Sequence, residues 1–314
     1  MTNIVLEDMG SFFVGGRDVE VRGRDIKHIW VTQDLPDFAY DPNGDFTVEQ
    51  AYVQYFIPAK RVSELPVLLQ HGGGLTGASW ETTPDGRPGW LHHFLRAGFA
   101  VYVIDNVERG RAGWCVLDDE WPGKPVIRSW QEAWWLYRIG AVENYDSRTP
   151  FPGQRFPLAA FEAMNARHVP RWTSTPPLQV AALKAAIARI GRCVVIGHSQ
   201  GGDLAQKAVL DMPEHVPVAV FAEPSGLPET IDGLDVNGRS FLFLMGDNLD
   251  ATPLWVDLTA RIRATADALA ARGARSEYLA LAEHGITGNS HMLMMDDNSD
   301  ELAALVQDWI LKQL

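Results

Sequence analysis

Cysteine is nearly absent: the 314 residues hold two, Cys115 and Cys193. Two cysteines make neither a disulfide framework nor a cysteine-based zinc site, so no metal is expected. Long apolar runs are missing too, and no stretch approaches the ~20 residues of a membrane span. The opening MTNIVLEDMG has no basic segment followed by an apolar one, so no export signal is visible and a cytoplasmic location is the default expectation. An export signal already removed would leave no trace in such a sequence. Cations are outnumbered, 27 Lys and Arg against 40 Asp and Glu, which gives a net charge of −13 and a pI near 5.1. That balance disfavours a nucleic-acid or anionic-membrane partner. With 46% hydrophobic and 21% charged residues, the chain has the composition of a soluble globular protein with a sizeable core.

The most informative stretch is CVVIGHSQGG at 193–202. Small and β-branched residues from Cys193 to Gly197 predict a buried parallel strand, and Asp203 to Leu210 continues at helical spacing. Between them Gly197-His198-Ser199-Gln200-Gly201 matches G-x-S-x-G. Strand, sharp turn and helix in that order make the motif a nucleophile elbow, which lifts the Ser199 hydroxyl clear of the sheet. Gly197 and Gly201 mark positions where a Cβ would collide with a neighbouring strand or helix. Without this context the motif would read as a Gly-rich turn whose serine caps the helix.

Around the elbow the chain alternates. Strand-like runs at 11–16, 18–23, 26–31 and 46–57 suggest antiparallel hairpins at the start. Strands at 67–70, 99–105, 216–223, 240–247 and 276–281 then alternate with helices at 90–97, 178–190 and about 255–272. The final helix opens with Asn298 and Glu301 in capping-box spacing and carries an apolar stripe of Leu302, Leu305, Val306, Trp309 and Ile310. Such alternation implies an α/β fold, a mainly parallel doubly wound sheet that binds ligands at its strands' C-terminal ends. Residues 107–177 interrupt it, with six of the eleven Trp and eight of the nineteen Pro. A stretch of that length without a core strand reads as a lid or binding wall, its helices expected at 128–141 and 157–168. The plainer reading is a structural excursion that covers a sheet edge or makes a homodimer contact. The expected organisation is a core of 1–106 and 178–314 with an inserted cap at 107–177.

A serine hydroxyl needs a base to take its proton and a third group to orient that base. In this fold the partners follow in the order Ser, acid, His. His284 and His291 both lie in the loop after the last expected strand; His291, just before the final helix, is placed to fold back over the strand ends and is preferred. His198, within the elbow, is expected to pack or hydrogen-bond there. For the acid, Glu223 ends one strand after the elbow and Asp247 ends the next, and the residues alone do not separate them.

The segments SFFVGG at 11–16, HGGGLTGASWETTPDGRPGW at 71–90, RGR at 109–111, GHSQGG at 197–202, AEP at 222–224 and GNSHMLM at 288–294 resemble a branch of bacterial and fungal esterases. The elbow, the strand order and HGGG resemble the α/β-hydrolase superfamily over nearly the whole chain. The resemblance implies an α/β-hydrolase fold, a catalytic Glu223 after the strand following the elbow, and His291 as base. It implies ester rather than amide cleavage as well. Its coverage is weakest in the Trp-rich insert.

HGGG at 71–74 completes the expected site. Acyl transfer develops charge on a carbonyl oxygen, and two main-chain N–H donors must already face it. Gln200 supplies one, and Gly73, with Gly72 next, the other. The same loop satisfies G-x-G-x-x-G at Gly72, Gly74 and Gly77, with Asp105 ending the next strand, as in a dinucleotide site. That reading requires a helix beginning inside the motif, whereas ASWETTPDGRPGW predicts a loop. Arg109 and Arg111 are expected to pair with Asp105 or Glu108 in preference to a substrate carboxylate. The combined expectation is a serine hydrolase for a small-molecule ester or lactone, with no cofactor. Trp114, Trp130, Trp134, Trp135 and Trp172 suggest an apolar or aromatic substrate group, although they could equally be the insert's own core. The alternative is a non-catalytic member of the fold that binds a small apolar ligand.

Overall fold

The computed structural model describes residues 3–117, 120–121 and 123–314; residues 118, 119 and 122 of the insert lie outside the described residues. It opens with strands β1 (Leu6–Val21), β2 (Lys27–Ile29), β3 (Phe38–Tyr40), β4 (Gly44–Pro58) and β5 (Val67–Gln70). Helices α1 (Ala78–Glu81) and α2 (Trp90–Arg96) precede β6 (Val101–Asp105). The insert adds short helices α3 (Trp130–Leu136) and α4 (Phe161–Asn165) before α5 (Pro176–Ile190). Then come β7 (Val194–His198), α6 (Gln200–Leu210), β8 (Val218–Ala222), β9 (Ser240–Met245), α7 (Pro253–Ala271), β10 (Arg275–Ala280) and α8 (Ser299–Leu311).

Eight strands form one sheet in the order β1-β4-β6-β5-β7-β8-β9-β10. The β1/β4 and β4/β6 pairs are antiparallel and the rest parallel. Alternation within the central strands divides the core: Val67, Leu69, Val194 and Ile196 face α2, α8 and part of the insert. Leu68, Cys193 and Val195 face α5, α6 and α7. Both faces are covered, so β5, β7, β8 and β9 are buried along their whole length and read as continuous apolar runs.

Four expectations change in detail. The runs at 11–16 and 18–23 are one 16-residue strand. Gly15 and Gly16, at φ 71 and 84, and Glu49 opposite them, at φ 68, bend the hairpin without ending it. The run at 26–31 shrinks to the three residues of β2, paired with β3 in a separate two-stranded sheet. The helices expected at 128–141 and 157–168 shorten to α3 and α4. Arg138 at φ 54 turns the chain out of the first, and a 3-10 turn at Leu158–Ala160 precedes the second. Asn298 does cap α8, but its side-chain amide is bonded to Asn289, so no capping box forms.

The elbow depends on close approach. A Cβ on Gly197 would lie 2.5 Å from the Gly201 carbonyl oxygen, and one on Gly201 would strike the His71 carbonyl. Both obstacles are main chain and cannot rotate away. Gly201→Ala is therefore expected to lower unfolding free energy by about 2 kcal/mol or more, within the usual range for overpacking a closed core. Denaturant unfolding at neutral pH checks this, and an unchanged midpoint would mean that the elbow yields.

Candidate active site

The parallel strands deliver the candidate residues to one edge of the sheet. β7 ends at His198, and Ser199 follows at φ 54, ψ −123, a region that a residue with a side chain rarely adopts. The turn is held on both sides: Ser199 N–H donates to Ala222 O at 3.0 Å, while Ser199 O accepts from Gly202 and Ser225 N–H. α6 begins immediately, so the helix N-terminus faces the space beside the half-buried serine.

β8 ends at Ala222, and Glu223 follows it, also left-handed at φ 52. Its side chain is wholly buried. One oxygen accepts from Arg138 Nη2 at 2.5 Å and from Gly246 N–H; the other accepts from His291 Nδ1–H at 3.0 Å. Burial alone would raise this carboxyl's pKa, but Arg138 and His291 outweigh it and hold the group at about 2. Asp247 is engaged elsewhere. Its carboxylate accepts from the N–H of Gly288 and of Asn248, each at 2.7 Å, and so anchors the loop that carries the histidine.

His291 is buried among Tyr137, stacked at 5.6 Å, Trp255 at 5.0 Å and His198 at 4.8 Å between ring centroids. Its N–H donates to Tyr137 O at 2.9 Å. Burial pushes the imidazole below its ordinary 6.5, and Glu223 opposes that shift. Donation from Nδ1 to a carboxylate leaves Nε2 as the ring's basic nitrogen. Below it, Asp296, pushed up to about 7 by burial, accepts from Ser290 N–H and Oγ–H and from Asn289. The structure thus forms the Glu223–His291 part of the expected chain, while no hydrogen bond joins the Ser199 hydroxyl to His291. Such bonds are often long in unliganded hydrolases and tighten in the complex. His284 is exposed. His198 lies in the elbow as expected, neutral with its pKa lowered to about 3, donating from Nε2 to His291 O at 2.8 Å.

The HGGG loop lies against this edge. A Cβ on Gly72 would sit 3.1 Å from Ser199 Cβ, and one on Gly73 would sit 2.8 Å from Gln200 Oε1. Among the described residues, the N–H groups of Gly72, Gly73 and Gln200 have no acceptor in the protein. After Gly77 a helical turn does begin, α1, where a loop was expected, but it is four residues long. Asp105 is engaged with Gly77 N–H at 2.7 Å and Arg111 Nε at 2.7 Å. It is therefore not free to meet a ribose. Arg109 is fully buried on Glu108 at 2.9 Å, so both arginines pair with protein acids.

The insert's tryptophans divide. Trp134 is fully buried and donates to Ala141 O, and Trp172 is 4% exposed and packed on Trp121. These two belong to the molecule's own core. Trp135 is half-buried, and Trp114 is 53% exposed over Trp172 at 5.0 Å. Arg138, Tyr137 and Trp255 were not anticipated; no periodicity or motif marks them. A cleft of about 420 Å³ between Pro176, Lys207 and Pro228 lies apart from Ser199 and contains none of these residues. Among the described residues, no group of His, Cys, Asp and Glu is arranged to hold a metal, and no helix is long and apolar enough to cross a membrane.

No family model matches the chain. A solved structure described as a novel bacterial esterase is 32% identical, covers 100% of this chain and 98% of its own, and superposes with a TM-score of 0.86. The chain belongs to the α/β-hydrolase esterases, whose reaction is carboxylic ester hydrolysis. A curated fungal protein, probable secreted lipase phiG of Fungal sp. (strain ATCC 74256), is 28% identical over 325 residues, 86% of this chain and 87% of that protein. That relative is named as secreted, in contrast to the cytoplasmic expectation for this chain.

Arg138 and Glu223 form a buried pair in which each depends on the other. Removing one partner of such a pair typically costs about 3–5 kcal/mol, because a buried charge is left uncompensated. Arg138→Met should show a loss of this order in denaturant unfolding at pH 7. A carboxyl held near 2 against an ordinary 4.5 contributes stability that is complete above pH 4.5 and is lost as pH falls towards about 2. The gap between variant and wild type should therefore narrow in acid; a gap independent of pH would contradict the pairing.

Proposed function

We propose that this esterase works through an acyl-enzyme on Ser199, with His291 as general base and acid and Glu223 as the group that orients it. The observation that carries this reading is the buried Glu223–His291 bond of 3.0 Å at the same sheet edge as a serine in strained elbow geometry. Ser199 Oγ attacks the ester carbonyl and its proton passes to His291 Nε2. The developing oxyanion accepts from the N–H groups of Gln200 and Gly73, with Gly72 adjoining. Collapse breaks the bond to the alcohol oxygen, which leaves with the proton from His291. Water, deprotonated by the same imidazole, then releases the acid and restores the serine. Glu223 stays ionised throughout and stabilises the imidazolium.

In this reading residues 107–177 form the cap over a core of 1–106 and 178–314. Trp114 and Trp135 are its candidates for contact with an apolar part of the substrate. Trp134 and Trp172 serve the cap's packing instead.

Ser199→Ala and His291→Ala are expected to lower kcat by about 10⁴–10⁶. Glu223→Gln should impair turnover severely while Asp247→Asn retains most of it, and the reverse order would transfer the acid's role to Asp247. His291 acts as base only when neutral, so kcat/KM falls as the pH drops through the free enzyme's imidazole pKa. Since burial holds that pKa below 6.5, the acid limb should fall below pH 6.5. A limb above it would show that Glu223 dominates over burial.

A further inference from the structure

One cation beside the proposed oxyanion loop makes no direct ion pair among the described residues. The segment around Arg171 runs along that loop: Val169 N–H donates to Gly74 O at 2.9 Å, and Arg171 pairs through its main chain with Val126. This placement brings the Arg171 side chain to Gly73, with Nη1 3.2 Å from where a Cβ on that glycine would be. Two more arginines stand in the same region, but each has an acid: Arg109 pairs with Glu108 at 2.9 Å and Arg128 with Glu132 at 2.6 Å. Among the described residues, the half-buried Arg171 guanidinium has no ion pair, side-chain hydrogen bond or aromatic ring against it. Burial, with Arg128 nearby, holds its pKa below the ordinary value, and the more distant Glu132 and Glu108 offset that only in part because each is already paired with another arginine.

A half-buried guanidinium with no protein acceptor is open to one from a ligand, and its planar fork matches a carboxylate bidentately. We propose that Arg171 binds a carboxylate on the acyl group of the substrate, so that the ester cleaved is a half-ester of a dicarboxylic acid. This rests on the acyl-enzyme reading, because it takes Gly73 as the site of the oxyanion. The oxyanion lies ~3 Å from its donors and a guanidinium–carboxylate contact spans ~2.8 Å, which puts the two acyl ends on the order of three to five bonds apart. In a molecule of net charge −13, a guanidinium beside the reacting serine also offsets the general repulsion of an anionic substrate.

The test compares monoethyl succinate, glutarate and adipate with ethyl butanoate, product acids being quantified by chromatography. Wild type should show a higher kcat/KM for at least one half-ester than for ethyl butanoate. Arg171→Gln should lower that preference about 10²-fold, as expected for loss of a charge-assisted pair, and Arg171→Lys should restore part of it. Free glutarate should inhibit ethyl butanoate hydrolysis competitively in wild type and much more weakly in Arg171→Gln. Half-esters hydrolysed no better than ethyl butanoate, or a preference that survives Arg171→Gln, would overturn the carboxylate site and leave the acyl-enzyme reading standing. Undiminished hydrolysis of all four esters by Ser199→Ala would instead remove the acyl-enzyme reading itself.

Discussion

A carboxylate without solvent contact fixes the geometry of this edge of the sheet. Glu223 is wholly buried, yet Arg138, Gly246 N–H and His291 keep it ionised. A buried acid with fewer donors would take up a proton and lose its hold on an imidazole. Those donors come from the insert, from the end of β9 and from the loop before α8. One charge therefore ties together segments that the chain keeps far apart.

The constraint is also visible in the backbone. Ser199, Glu223 and Arg138 all have φ between 52 and 54. Left-handed backbone at such residues costs of order 1–3 kcal/mol each and persists only where the surroundings over-determine it. Here they do: strand-end hydrogen bonds hold Ser199 and Glu223, and Arg138 is clamped between Glu223, Asp247 O at 2.7 Å and the Trp255 ring at 4.3 Å. Residues 107–177 therefore supply the counter-charge for Glu223 and, through Tyr137, a stacking face for His291.

Much of this could be read in the sequence because it is written locally. G-x-S-x-G after a β-branched run specifies its own strand, turn and helix, and the alternation that follows fixes the strand ends. Glu223 and Asp247 could not be separated that way, since both end neighbouring parallel strands. What distinguishes them is where each side chain points, a consequence of the left-handed turn at Glu223. Arg138 left no trace because its partner is 85 residues away and both lie outside any periodic pattern. Arg171 escaped notice for a related reason: its significance is the direct ion pair it does not make among the described residues, which only the packed structure reveals. The tryptophans misled in part because aromatic content does not distinguish a binding wall from a small core.

The most direct test of the account is a crystal structure after reaction with a fluorophosphonate. The account predicts phosphorus bonded to Ser199 Oγ, the phosphoryl oxygen within hydrogen-bond reach of the Gly73 and Gln200 N–H groups, and His291 Nε2 facing the remaining oxygen substituent. An unmodified Ser199, or an adduct whose phosphoryl oxygen points away from both amides, would contradict it.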